Sequence, residues 1–430
     1  MGLEVILALI LLLVLLMFGV PIALALLASG FTGLLLIGDL YKALASLTFV
    51  PYATVANGNL IVIPLFILTG QIAFAAGISQ DAYDMAYRWL GKFKGGLAMA
   101  SIAACGAFAA TSGSSVATAA TVGKIAIPEM RRFGYDDSLA TGAVAAGGSL
   151  GIMIPPSTTF IIYGIITDTS IGKLLIAGII PGLISAVIYI LGISVLTRVR
   201  PNIAPGGKSF PWGEKFRYLL KGSSILILFF TIIGGIYSGL FTPSEAAAVG
   251  GLVAIILAIV KRAKMKELLT AFSDSAGTAA MIFLLLVGAM VFSQFVAITG
   301  TAADVAEFLG SIPLPNLVVL FIILIFYVPM GMFLDGISMM LVTMPVVFPA
   351  VLGMGYDAIW FGVIITKMIE ISVITPPVGF NVFIIKGVVP EVPIETIYRG
   401  VMFFLLLDLI TLSLLVIFPE IVLWLPNKLF

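Results

Sequence analysis

Histidine is absent from this chain of 430 residues, and cysteine occurs once, at Cys105. Without histidine there is no Ser-His catalytic pair, no imidazole metal ligand and no histidine proton relay. A lone cysteine excludes an internal disulfide. Charge is scarce as well: Asp, Glu, Lys and Arg make up 10% of the chain, against about 25% in a soluble domain. The 22 basic and 21 acidic residues leave a net charge of +1, which supplies no basic field for nucleic acid. No Walker-type phosphate loop (G-x-x-x-x-G-K-S/T) is present, so nothing points to nucleotide hydrolysis. What is abundant is apolar: 61% of residues are hydrophobic and the mean hydropathy is +1.22. That composition is expected of an all-α polytopic membrane protein. The N-terminus lacks a basic stretch before its apolar run and a convincing cleavage site, so it reads as a first membrane helix rather than a signal peptide.

The chain repeats itself. Pro128, Gly134-Tyr135-Asp136 and Pro155-Pro156 recur 221 residues later as Pro349, Gly355-Tyr356-Asp357 and Pro376-Pro377. Pro21 and Pro243 match one residue off the same register. The flanks of the first copy carry Arg88, Lys92, Lys94, Arg131 and Arg132; those of the second carry Asp304, Glu307 and Asp357, with no Lys or Arg. Lys and Arg stay on the cytoplasmic side of a membrane, so the two copies are expected to sit in the bilayer in opposite orientations, a common plan for secondary transporters.

The expected first repeat occupies 1–197, with scaffold helices within 3–77, an interfacial arm at 79–94, a hairpin at 96–130, a broken helix at 138–165 and a helix at 171–197. A basic cytoplasmic linker, 198–221, follows. The second repeat, 222–430, holds scaffold helices 222–260, a helix 276–298, an arm 301–311, a hairpin 316–349, a broken helix 358–386 and a helix 400–425. Within 3–77 the expected spans are 3–18, 22–37 and 59–77. With both basic loops, 198–221 and 261–267, in the cytoplasm, the count puts 131–137 inside and both termini outside.

Residues 96–130 are interrupted by Thr111-Ser112-Gly113-Ser114-Ser115, leaving halves of about 16 residues with positive charge at both ends, short of the ~20 that a full crossing needs. A re-entrant hairpin fits; tight packing of small residues is the alternative. The equivalent segment turns near Gly331-Met332-Phe333-Leu334-Asp335-Gly336. Each Pro-Pro pair lies inside an apolar span and leaves carbonyls on the preceding turn without partners. A dehydrated cation suits them, and sodium is held this way at broken helices, whose N-terminal ends favour an anionic substrate. Around the breaks stand Gly151, Ser157, Thr158 and Thr159 in one copy and Ser372, Thr375 and Asn381 in the other. Candidate substrate contacts are Ser114, Ser115, Ser157, Thr158, Asp335, Lys367 and Asn381. Lys367 and Glu370 are either functional or a mutually neutralising pair; Lys124 either reaches substrate or snorkels to the interface; Asp408 has no assigned role. Glu245 after Thr242-Pro243-Ser244 is expected to cap a helix.

The Ser112-Gly113-Ser114-Ser115 tip, Ile154-Pro155-Pro156-Ser157, Thr242-Pro243-Ser244-Glu245-Ala246-Ala247-Ala248 and Thr375-Pro376-Pro377-Val378-Gly379-Phe380-Asn381 together resemble the large membrane subunit of TRAP (tripartite ATP-independent periplasmic) transporters. The resemblance covers nearly the whole chain. It implies an elevator-type, sodium-coupled uptake system for a small organic anion in the bacterial inner membrane. It also implies two partners, a small TRAP membrane subunit and a periplasmic substrate-binding protein. Carried onto matching positions, it implies one Na+ site at Ala109, Ser112, Gly151, Ile154 and Pro156, and another at Gly331, Ser372, Thr375 and Val378, mostly through backbone carbonyls. Ala109 and Ser372 stand where the resemblance implies Ser and Gly; a carbonyl ligand survives either change, but a side-chain ligand at 109 would not. A stand-alone sodium–dicarboxylate carrier is the nearest rival, and a membrane enzyme with a Ser-Lys dyad on Lys124 a more distant one.

Overall fold

The computed structural model describes residues 2–38, 40–331 and 334–429. Met332 and Phe333, expected in the second hairpin turn, lie outside these residues. Among the described residues the chain is helical throughout, without strands. Its first part runs α1 (Leu3–Met17), α2 (Ile22–Leu36), α3 (Leu40–Val55), α4 (Val62–Ala75), α5 (Ile78–Leu90), α6 (Gly96–Ser112), α7 (Ser115–Arg132), α8 (Asp137–Ser149), α9 (Thr158–Thr167), α10 (Ile171–Ala177) and α11 (Ile179–Val199). Its second part runs α12 (Trp212–Tyr237), α13 (Pro243–Val260), α14 (Met265–Ile298), α15 (Thr301–Ser311), α16 (Asn316–Met330), α17 (Gly336–Gly353), α18 (Ala358–Ser372), α19 (Phe380–Val388), α20 (Ile394–Ile417) and α21 (Glu420–Leu429). Among the described residues, seven helical segments are long and apolar enough to cross a membrane: Gly58–Ala75, Ile171–Val199, α12, α13, α14, α17 and α20. Large apolar side chains such as Leu183, Leu191, Phe230, Ile325 and Leu406 point outward, as a lipid-facing surface requires.

Punctuation in the sequence sets the element ends. Thr242 and Glu245 cap α13 reciprocally, each side chain bonding the other residue's backbone N–H. Asp136 and Asp357, matched in sequence, cap α8 and α18 through their side-chain oxygens. Helix α3 fills a stretch where no span was expected. Its Tyr41, Ser46, Thr48, Pro51, Tyr52 and Thr54 depress hydropathy, yet Thr48 and Thr54 return their hydroxyls to the carbonyls of Leu44 and Val50, so the polarity costs the helix little. Helix α14 starts eleven residues before the expected 276, with a polar first third (Lys266, Glu267, Asp274); its 34 residues reach roughly 51 Å, well past a hydrocarbon core of about 30 Å. The last expected span divides at Phe418-Pro419 into α20 and α21.

Two hairpins, α6–α7 and α16–α17, and two interrupted helices, α8–α9 and α18–α19, hold the centre. The interrupted helices run antiparallel. The start of α8 packs on α20, so closely that a Cβ on Gly142 would lie 2.5 Å from the Gly400 carbonyl carbon. At the other end, Tyr163 of α9 donates from its hydroxyl to the carbonyl of Ala358, the first residue of α18 (2.7 Å). Arg131, just after the first hairpin, bonds both Asp137 (2.9 Å) and Glu391 of the α19–α20 loop. Its own backbone N–H, and then the Arg131 guanidinium, hold the Glu391 carboxyl below the usual range. A separate apolar core joins α4 and α5 (Ile72, Ile78, Ala82) to α12 and α13 (Ile225, Leu228, Ala254, Ala258). Asp81 of α5 reinforces that join with ion pairs to Lys221 (3.0 Å) and Lys261.

Candidate functional site

The first hairpin turns on three residues. Gly113 adopts φ +58° and closes α6 with its N–H on the Ala109 carbonyl (3.0 Å). Ser114, in extended conformation, starts α7 and accepts from the Ala117 N–H (3.4 Å). Thr118 locks the turn from inside: its hydroxyl donates to the Ser114 carbonyl (2.7 Å) and lies 3.0 Å from Ser112 Oγ. This tip rests directly on the first break. A Cβ on Gly113 would come 2.5 Å from the Pro156 carbonyl oxygen, and one on Gly151 would come 2.6 Å from the Ser114 carbonyl oxygen. Thr158 completes the seam, its hydroxyl donating to the Gly113 carbonyl (2.9 Å). Ala109, Ser112, Gly151 and Pro156 therefore meet at one junction, with Ile154 two residues before Pro156 on the break itself.

The second tip is built on a different cap. Gly331 closes α16 on the Tyr327 carbonyl (3.0 Å), and Asp335 starts α17 by accepting the N–H groups of Ile337 (3.0 Å) and Ser338 (3.2 Å) and the Ser338 hydroxyl (2.6 Å). Gly331 lies against the end of α18, where a Cβ would overlap Ser372 Cβ at 2.2 Å. Past Ser372 the chain breaks. Thr375 donates to the Ile371 carbonyl (2.6 Å), and the Asn381 N–H returns to the Val373 carbonyl (2.9 Å). Tyr398 of α20 donates its hydroxyl to the carbonyls of Pro377 and Val378, the latter at 2.7 Å. Both Pro-Pro bonds are cis.

Between the tips lies a small cavity of about 80 Å³. Ser114, Ser115, Thr158, Asp335 and Asn381 line it with Thr159, and Ile152, Ile337, Ile369, Val373 and Phe380 form its apolar wall. Ser115 donates to Asn381 Oδ1 (2.8 Å), and Asn381 Nδ2 donates to the Ala145 carbonyl (3.1 Å), so one amide joins the first tip, the first broken helix and the second. The buried Thr159 hydroxyl has no hydrogen-bond partner among the described residues. Neutral hydroxyls, an amide and one carboxylate against an apolar wall give this cavity the means to hold a small polar solute. Among the described residues no group of three or more Cys, Asp or Glu side chains is placed to hold a metal.

Two expected contacts lie elsewhere. Ser157 is fully buried, donating to the Ile152 carbonyl (2.5 Å) and capping α9 through the Phe160 N–H. Lys367 is fully buried outside the cavity, its Nζ 2.7 Å from Glu370 Oε2, 2.6 Å from Asp408 Oδ1 and 3.2 Å from Ser185 Oγ. Tyr189 also donates to Asp408 Oδ1 (2.5 Å). Asp408 thus acquires a role that sequence could not give it, 41 residues from its lysine. The apolar wall and Tyr398 carried no sequence signal either: an Ile, a Phe or a helix-borne Tyr in an apolar chain is indistinguishable from core until the fold is known.

Over residues 9–421 the chain matches the family "Tripartite ATP-independent periplasmic transporter, DctM component". Among curated proteins, it is 36% identical over 404 residues to the C4-dicarboxylate TRAP transporter large permease protein DctM of Pseudomonas aeruginosa, covering 93% of each chain. It is 32% identical to the sialic acid TRAP transporter large permease protein SiaM of Vibrio cholerae, covering 86% of this chain and 87% of that one. To the ectoine/5-hydroxyectoine TRAP transporter large permease protein UehC of Ruegeria pomeroyi it is 32% identical, covering 97% of both. Among solved structures, the YdaH transporter of Alcanivorax borkumensis superposes with a TM-score of 0.63 over 91% of this chain and 90% of that one, at 16% identity, a likeness of fold. With that family matched across nearly its whole length and those relatives covered almost end to end, the chain belongs to the large permease components of TRAP transporters.

Proposed function

We propose that this chain takes up a small organic carboxylate across the bacterial inner membrane, coupled to sodium, with a small membrane subunit and a periplasmic binding protein as partners. The observation that carries the proposal is the small polar cavity between two hairpin tips, each tip seated on its own interrupted helix. Carbonyls freed at the breaks, around Ser112, Gly151 and Pro156 on one side and Gly331, Ser372, Thr375 and Val378 on the other, suit dehydrated sodium. The cavity receives the solute once both tips are ordered. Relatives named for C4-dicarboxylates, sialic acid and ectoine set the range of substrate class. A relative named permease protein DctMQ, in which this chain covers 58% of the length, agrees with a small-subunit partner.

The hairpins and interrupted helices move as one body against a scaffold of α1–α5 and α12–α13, with both termini periplasmic. Two features support this: the antiparallel course of the interrupted helices, and the separate core that ties α5 to α12 and α13. Two sodium charges crossing 100 mV supply roughly 4.6 kcal/mol, on the order of a thousandfold accumulation at about 1.4 kcal/mol per tenfold. The test is uptake into proteoliposomes holding the chain and its two partners, with sodium replaced by choline. Uptake falls to background in choline; undiminished uptake there overturns the coupling.

A further inference from the structure

A second polar cavity, of about 460 Å³, opens between α5, α7 and the linker after α11. It is distinct from the tip cavity, sharing none of its residues. Its charged residues come from three elements: Asp84 and Arg88 from α5, Lys124 and Glu129 from α7, and Lys208 from the linker. The acids have cationic neighbours. Asp84 is held by Arg88 (3.2 Å) with Lys221 beside it (3.7 Å), and Glu129 faces Arg132 (3.9 Å). The Arg88 guanidinium is fixed by stacking, 3.8 Å above the Tyr218 ring and 5.5 Å from Phe210, and its buried Nε has no hydrogen-bond partner among the described residues. Lys124 and Lys208 have no carboxylate within ion-pair distance among the described residues. Tyr83, 3% exposed, lines the same wall; its hydroxyl interacts with Ser101 and makes no close hydrogen bond among the described residues. The cavity thus gathers two ammonium groups without a carboxylate partner among the described residues, Lys208 lying 5.4 Å from the Phe210 ring, with a free guanidinium N–H and a phenol O–H. All are donors, and donors of this kind on different elements recognise an oxyanion.

We infer that this cavity is an oxyanion site, taking a single carboxylate or phosphate group between Lys124 and Lys208 with Tyr83 and Arg88 Nε as further donors. Position supports it. Lys124 lies eight residues before Arg132 at the end of α7 and nine after Ser115 at the tip, so it stands roughly 12–14 Å from each end. That is midway along the helix that starts at the tip cavity. A lysine placed only to reach water would sit in the last turn, where Arg131 and Arg132 already are. The group arrives either on a free solute leaving the tip cavity or on an anionic lipid from the cytoplasmic leaflet.

The experiment uses the full chain in nanodiscs, with inorganic phosphate as the probe in purely zwitterionic phosphatidylcholine and phosphatidylglycerol as the probe in mixed lipid. Phosphate binding is read by calorimetry, and retained lipid by native mass spectrometry. The wild type binds phosphate, and Lys124→Gln and Lys208→Gln each weaken it about tenfold, as loss of one charge-assisted contact predicts. Lys124→Arg and Lys208→Arg retain binding, which separates lost charge from lost fold, and Lys266→Gln, on the exposed start of α14, leaves it unchanged. If phosphate is not bound but phosphatidylglycerol is retained by the wild type and lost in the two Gln variants, the site stands and lipid is its source. If the wild type binds neither probe, or the Gln variants bind both as it does, the inference is overturned. No transport is measured, so either outcome leaves the uptake proposal to its own test.

Discussion

Gly151→Ala is the sharpest probe of how tip and break cooperate. The added methyl would lie 2.6 Å from the Ser114 carbonyl oxygen and 2.8 Å from Thr118 Oγ1, roughly 0.5–1 Å inside a C···O contact of about 3.3–3.6 Å. Neither neighbour is free to yield. The carbonyl belongs to the residue that starts α7, and Thr118 Oγ1 is tied to that same carbonyl and to Ser112. Overpacking of this kind costs about 1–3 kcal/mol. Here the cheapest relief is to lift the tip off the interrupted helix, because the rest of Gly151's surroundings are buried core. Sodium must then supply what the seated tip has lost, and half-saturation rises by up to about 5- to 150-fold at 1.4 kcal/mol per tenfold. The assay is sodium-titrated uptake in the reconstituted three-part system, with folding followed by size-exclusion chromatography. Gly277→Ala, on α14 with no atom within 4 Å of its new methyl, is the control and leaves half-saturation unchanged. A Gly151→Ala protein that titrates like wild type, or a Gly277→Ala protein that shifts as far, refutes the seating of tip on break as the sodium-sensitive contact.

Lys367→Met strands Glu370 and Asp408 in a fully buried site and lowers stability by about 3–5 kcal/mol, read as a drop in thermal unfolding temperature. Adding Glu370→Gln and Asp408→Asn to it recovers most of the loss, and a triple variant no better than the single one argues against an electrostatic cause. Tyr398→Phe removes the hydroxyl that holds the Pro377 and Val378 carbonyls, about 1 kcal/mol of hydrogen bonding, and raises sodium half-saturation roughly fivefold. An unchanged sodium titration removes Tyr398 from the second cation site. In a Cys105→Ala background, Phe133→Cys is labelled by an impermeant maleimide from the cytoplasmic face and Met354→Cys from the periplasmic face. Labelling of both from one face ends the inverted-repeat proposal.

What the sequence disclosed about the site was local. Pro155-Pro156 and Pro376-Pro377 interrupt helices wherever they occur, and Gly113 with Ser114 makes a turn and a cap within two residues, so breaks and tips were legible before any fold. What it hid was long-range. Ser115 and Asn381 bond across 266 residues and Lys367 and Asp408 across 41, and nothing in one chain's pattern pairs them. Helix α3 escaped because hydropathy counts its hydroxyls as polar, whereas Thr48 and Thr54 spend theirs within the helix. The same distinction governs the site. Listing oxygen donors near the breaks overstates what a ligand can use, because the fold employs most of them itself: Ser157 on Ile152, Thr158 on Gly113, Thr375 on Ile371 and Asn381 on Ala145. Thr159 keeps an idle hydroxyl, and carbonyls keep a second lone pair even when one is taken. A site that reserves its side chains for fixing the tips and leaves carbonyls to the ion binds only when the tips are seated. Binding then depends on backbone position rather than on side-chain identity, and for that reason Ala109 and Ser372 can stand where the family resemblance leads one to expect Ser and Gly without costing the proposed ligand set.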